Sequence, residues 1–133
     1  MHTHLLEARL VGDMAPLPFQ ITRASDHAKN AAARVAGVEV VAMPDDEVTF
    51  QELQARIRKT IDFLKTVPPD SMDGKEEVEI VLKLKAGELR WTAKSYLLEF
   101  ALPNFYFHLT TAYDILRHSG VPVGKVDYIG GLK

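Results

Sequence analysis

Residues 96–132 read YLLEFALPNFYFHLTTAYDILRHSGVPVGKVDYIGGL. Through Ser119 the apolar side chains recur every three or four positions, which is the period of a helix with one buried face. Ala101, Phe105, His108, Ala112 and Ile115 share one stripe, so His108 is an imidazole set among apolar neighbours. Such a ring is either a hydrogen-bonded core group or part of a site. The pattern predicts a last long helix over 93–119, stopped by Gly120 and Pro122. Arg117 and His118 fall in its last turn, where positive charge suits the helix dipole. Pro103 lies inside this span. It has no N–H and crowds the carbonyl of Glu99, so a kink is expected there.

Immediately upstream the period changes from helical to two. Val78, Ile80, Leu82 and Leu84 alternate with charged residues, and Leu89 and Trp91 alternate with Glu88, Arg90 and Thr92. Ala86–Gly87 is expected to close a hairpin over 77–92, with Leu84 opposite Leu89 and Leu82 opposite Trp91. A lone hairpin is marginal in water, so its apolar face should pack on the helices, with Trp91 as a plug.

Two more helices precede it. Over 17–36, Ile21, Ala24, Ala28, Ala31 and Val35 recur at helical spacing, Pro18 suits the first turn, and Gly37 is the stop. Between Val38 and Val48 lies a loop with the acidic run Asp45–Asp46–Glu47. Thr49 and Glu52 then fit a capping box, with Val48 and Leu53 as its hydrophobic staple. The stripe Leu53, Ile57, Ile61, Leu64 predicts a helix that ends at Pro68–Pro69. Arg56, Arg58 and Lys59 on it are expected to form a solvated face. Residues 1–10 suggest a short, weak helix. The tail residues Val123, Val126, Tyr128, Ile129 and Leu132 are expected to pack on the body.

The 133 residues suit one domain, 1–133, and the 47% hydrophobic content is enough for one core. Absence of cysteine excludes disulfides, thiolate metal sites and cysteine nucleophiles. The net charge of −2 offers no general attraction to phosphate backbones, so a nucleic-acid partner is not expected. No apolar run reaches the ~18 residues that would span a bilayer, and residues 1–10 lack a secretory pattern. A cytoplasmic protein with no membrane partner is the expectation.

Three stretches carry a resemblance: LLEARLVGDMAPLPFQI from Leu5 to Ile21, SDHAKNAAARVAGVEV from Ser25 to Val40, and PNFYFHLTTAYDILRHSGVPVGKVDYIGGL from Pro103 to Leu132. In this order, over nearly the whole chain, they resemble the DUF1993 family of uncharacterised helical proteins. That family is similar to the DinB/YfiT-like superfamily of four-helix bundles. The resemblance implies a mainly α, up-down DinB-like bundle with a β-hairpin inserted before the last long helix. Family members usually carry a helix ahead of the LLEARL segment, so the expectation is a bundle that either lacks its first helix or is a trimmed piece of a longer chain. Its exposed apolar wall would favour a homodimer.

The resemblance also implies a divalent metal, zinc or nickel, on three histidines, one from the second helix and two from the last at H-x-x-x-H spacing. His27 matches the first position and His108 the second. Ala112 stands where the third ligand would be. From the residues themselves, His27 and His108 are expected to meet inside the bundle, with Asn104 and Tyr113 beside them in a pocket for a small-molecule ligand. Asp26, His4, Asn104 and Tyr113 are the available supplements to a metal shell. Asp26 is otherwise a surface charge, since neighbouring helical residues diverge by ~100° and it cannot orient His27. Thr110 and Thr111 are expected to bond back to their own helix. Two functions compete: a ligand-binding or interaction module with a degenerate metal site, and a metal-dependent enzyme of the thiol transferase/isomerase type.

Overall fold

The computed structural model describes residues 2–131. The elements are α1 (Thr3–Glu7), α2 (Leu17–Ala36), α3 (Phe50–Thr66), β1 (Glu79–Leu84), β2 (Gly87–Thr92), α4 (Ala93–Tyr96), a π-helical turn (Leu97–Ala101), α5 (Leu102–His118) and α6 (Lys125–Tyr128). The fold is mainly helical, with one hairpin before the last long helix, as the periodicity predicts.

α2 is the centre of the molecule. It packs on α3 along one side and on α5 along the other, which explains why Leu17, Ala24, Ala33 and Val35 are all buried. Pro18 sits in its first turn, and Gly37, at φ 75°, makes the left-handed stop that a Cβ would strain. One core cluster joins Leu17 to Ala112 and Ile115. The other joins Val35 to Ile80, Ala93, Tyr96 and Ala101 under the hairpin.

α3 begins with the expected capping box. Thr49 Oγ1 accepts from the Glu52 amide at 3.1 Å, and the Glu52 carboxylate accepts from the Val48 and Thr49 amides at 2.6 and 3.0 Å. Those amides hold the Glu52 carboxyl below its ordinary pKa. The staple is incomplete: Leu53 is buried but Val48 is exposed.

The face that α3 turns to α2 differs from the predicted stripe. Leu53 is buried, but it is followed by Arg56 and Thr60, not by Ile57 and Ile61. Arg56 is therefore no part of a solvated face, although Arg58 and Lys59 are exposed. Ile57, Ile61 and Leu64 instead form one wall of a groove of about 310 Å³. Ile21, Ala24 and Ala28 of α2 make its floor, and Phe105, Leu109 and Ala112 of α5 its other wall. Three helices thus lie side by side as one layer, with an apolar trough along it.

The hairpin register is two residues off the expected one. Leu82 faces Leu89, Leu84 faces Gly87 and Ile80 faces Trp91. The turn residues are Lys85 and Ala86, and Gly87 takes the φ of 139° that alanine would resist. A two-residue shift preserves the side-chain alternation, so the apolar face is unchanged. Trp91 packs on Tyr96 and Phe100, with ring centroids 5.7 and 5.0 Å apart.

No helix among the described residues is long and apolar enough to cross a membrane. Leu132 lies outside the described residues. The rest of the tail packs less than expected: Val126 and Ile129 are exposed, and Tyr128 is its main anchor, edge-on to Tyr113.

Candidate functional site

Pro103 shapes the site. Having no N–H, it cannot bond the carbonyl of Glu99. The helix responds by widening over Leu97–Ala101, where the Leu102 amide bonds the carbonyl of Leu97, five residues back. The extra residue rotates everything after it, a common way to re-aim side chains. The expected kink is thus a π turn. Phe100, inside it, stands edge-on to His27 with centroids 5.7 Å apart, and His108 follows two turns later.

His27 of α2 and His108 of α5 meet. Their ring centroids are 5.6 Å apart and their planes lie within 10° of parallel. Both rings are half-buried. Gln20 Oε1 lies 2.8 Å from His108 Nδ1, and Gln20 Nε2 donates to the Ala15 carbonyl at 3.0 Å. A carbonyl can only accept, so the Gln20 amide group must face Ala15 and its oxygen must face His108. His108 Nδ1 therefore carries a proton, and the lone pair of the neutral ring is on Nε2. The ring nitrogens of His27 make no hydrogen bond among the described residues.

Phe19 and Phe107 stand edge-on to His108 at 6.1 and 5.2 Å. The Arg23 guanidinium lies over the Phe19 ring, 4.8 Å from its centroid. Burial, then the facing His108, push the pKa of His27 below the ordinary imidazole value, with Arg23 and Arg34 adding to the shift and Asp26 opposing it. Burial and then Arg23 lower that of His108.

Asp26 is not a surface charge. Its carboxylate receives Arg56 Nη2 at 2.6 Å and has Lys29 Nζ at 3.4 Å and Arg23 Nη1 at 3.7 Å. Arg56 is 3% exposed and also reaches Asp45 at 3.0 Å, Glu47 at 3.1 Å and the Pro44 carbonyl at 3.1 Å. Burial works against its charge, but Glu47, Asp45 and Asp26 outweigh it and raise its pKa. A closed relay of hydroxyls completes the seam. Arg56 Nε donates to Ser25 Oγ at 2.9 Å, Ser25 and Thr60 share a 2.7 Å bond, and Thr60 Oγ1 donates to the Arg56 carbonyl at 2.9 Å. This network ties the 38–48 loop to the helices. Among the expected site residues, Asp26 belongs to it and not to the histidines.

The other expected members lie elsewhere. Asn104 donates to the Phe100 carbonyl at 2.8 Å, which serves the widened turn. Tyr113 packs on Tyr128 in a separate groove. His4 lines another groove with Leu5, Phe50 and Leu116. Thr111 bonds back to Phe107 as expected, whereas Thr110 pairs with the Tyr128 hydroxyl at 3.0 Å. Sequence reasoning missed Gln20, although it lies seven residues before His27 on the same helical stripe. It also missed Tyr96, fully buried with its hydroxyl accepting from Arg34 at 3.0 Å.

The donor set does not fit a three-ligand metal. Two imidazoles converge, Ala112 offers no donor, and no group of three histidine, aspartate or glutamate side chains comes together among the described residues.

The family model described as a domain of unknown function, DUF1993, matches residues 1–129. Among solved structures, the chain is similar to the crystal structure of a DinB family member protein from Shewanella denitrificans. That protein is 37% identical, with a TM-score of 0.89, and the match covers 96% of this chain and 72% of the other. No curated protein matches.

Proposed function

The chain belongs to the DUF1993 family, and from that premise we propose that it is a cytoplasmic ligand-binding or interaction module whose paired histidines are a degenerate DinB-like metal site. The observation that carries the reading is the half-buried His27–His108 pair, with Gln20 holding one ring and Ala112 in place of a further donor. Two imidazoles alone fall short of the three protein ligands zinc normally takes. The small-molecule ligand would meet the open nitrogens of that pair.

The interaction half of the reading rests on the apolar trough. Its α3 wall exposes Ile61 at 44%. Leu98 and Leu102 line a separate groove beside Val35 and Met72, and with Tyr106 they are 59, 43 and 51% exposed. Such a trough takes the apolar face of a helix. A second copy of this chain offers one in its own Leu98–Leu102–Tyr106 stripe, which makes a homodimer the natural occupant.

One observation favours the competing reading, a metal-dependent enzyme of the thiol transferase/isomerase type with His27 and His108 as ligands. A centroid separation of 5.6 Å is short enough for two imidazoles to reach one ion at Zn–N of about 2.1 Å. Tag-free protein equilibrated with zinc or nickel, then dialysed and assayed for metal, separates the two. Substoichiometric metal and an unchanged Tm support the binding module. Stoichiometric metal that disappears in His108→Ala supports the enzyme.

A further inference from the structure

Residues 100–113 hold no aspartate, glutamate, lysine or arginine, against 26% charged residues in the whole chain. The stretch is nevertheless in contact with water: Leu102, Tyr106 and Phe107 are 43, 51 and 54% exposed, and Pro103 and Thr110 are exposed as well. A solvated helix face normally carries charge, so an uncharged one marks a contact surface. The surface beside it is apolar too. Ile21, Ala24 and Ala28 floor the trough, and Val35, two turns further along the same side of α2, lines the groove that holds Leu98 and Leu102. The outer rims alternate in sign: Arg58, Asp62 and Lys65 follow Ile57, Ile61 and Leu64 on α3, and Lys75, Glu76 and Lys94 border the groove. Neither rim selects a partner of one charge.

The charges that bound the stretch decide the occupant. Lys94 and Glu99 precede it and Asp114 and Arg117 follow it on one continuous helical run. Two such runs side by side in the same direction would set like on like at all four places. Turned end for end, they bring Lys94 and Glu99 of one copy to Asp114 and Arg117 of the other, so each end holds two positive and two negative groups. A twofold axis perpendicular to the helix gives that arrangement. It also favours an uncharged centre, where each group meets its own counterpart. We infer that the exposed face of α5 is a twofold, antiparallel contact between two copies of this chain, with the axis beside Tyr106, near the middle of the uncharged stretch. The inference rests on the homodimer reading and adds its geometry: each copy lays α5 over the trough of the other, so the trough is closed only in the pair.

The chain has no cysteine, so single-cysteine variants report the contact alone. Tyr106→Cys and Leu98→Cys place thiols at positions of similar exposure, 51 and 59%. In the antiparallel pair the two Tyr106 positions meet within disulfide reach, whereas the two Leu98 positions lie about 20 Å or more apart. With diamide as oxidant, Tyr106→Cys should give cross-linked dimer about tenfold or more faster than Leu98→Cys, and Ile61→Glu in the same chain should remove that advantage. Both reduced variants should keep the circular dichroism spectrum of the parent. Loss of the dimer in reduced Tyr106→Cys, with Leu98→Cys still dimeric, would also support the contact. Equally fast cross-linking of both variants would overturn the antiparallel arrangement. Slow cross-linking of a Tyr106→Cys protein that still sediments as a dimer would overturn this contact and leave the homodimer reading standing. A monomeric parent would overturn both, and give the face to a different protein or an apolar small molecule.

Discussion

His108 Nδ1 and Gln20 Oε1 lie 2.8 Å apart, across 88 residues of chain. This bond locks α5 to α2 at the level of the histidine pair and fixes the imidazole tautomer, because the other end of the Gln20 amide is committed to Ala15.

Replacing Gln20 by leucine removes the acceptor and leaves the Ala15 carbonyl without its partner. A loss of about 1–3 kcal/mol of stability is expected, the range for an unpaired buried polar group, measurable by urea denaturation. The nitrogen shifts of His108 should also move away from the pure Nδ1–H tautomer. His108→Leu should cost a similar amount and leave the fold intact, since only the Gln20 oxygen is then unpaired.

Acid should destabilise the protein earlier than its carboxylates alone would dictate. Both histidines have folded-state pKa values below the unfolded value of 6.5. Above that value both states are neutral and pH has no effect through these rings. As pH falls through 6.5 the unfolded chain takes up protons first, so stability drops until the folded rings protonate too. Denaturant midpoints at about pH 7.5 and about pH 5.5, on either side of that window, should differ, and His27→Gln/His108→Gln should shrink that difference. An unchanged difference in the double variant would assign the acid sensitivity elsewhere.

Arg56→Ala is expected to be the most damaging of these substitutions. It strands Asp26, Asp45 and Glu47 around a 3% exposed position and breaks the hydroxyl relay. The cost should be about 3–5 kcal/mol, with faster hydrogen exchange in the 38–48 loop. Arg58→Ala, two residues on and exposed, should stay within about 0.5 kcal/mol.

Ile61→Glu places a charge on the wall of the apolar trough. Sedimentation equilibrium should show dimer in the parent and monomer in the variant at the same concentration. A monomeric parent would exclude the trough as a surface for self-association.

The capping box at Thr49, the stop at Gly37 and the facing of His27 and His108 are all legible in the sequence. Each follows from local chemistry or from a helical period, and each survives small changes in how the helices pack. The burial of Arg56 is not legible. Its partners Asp26, Asp45 and Glu47 lie 9 to 30 residues away, and an arginine among exposed cations gives no local sign that three carboxylates will close on it.

Tyr113 and Asn104 illustrate the same boundary. Both are near His108 in sequence, yet one turns to Tyr128 and the other to its own backbone. The amino-acid order determined the helices, their caps, the hairpin's apolar face and the two rings that meet. Tertiary structure alone decided the π turn's rotation of α5, the acceptor for His108 and the charge that surrounds the pair. Periodicity encodes which side of an element is apolar, whereas a polar contact across the fold depends on the rotation and height at which two elements dock.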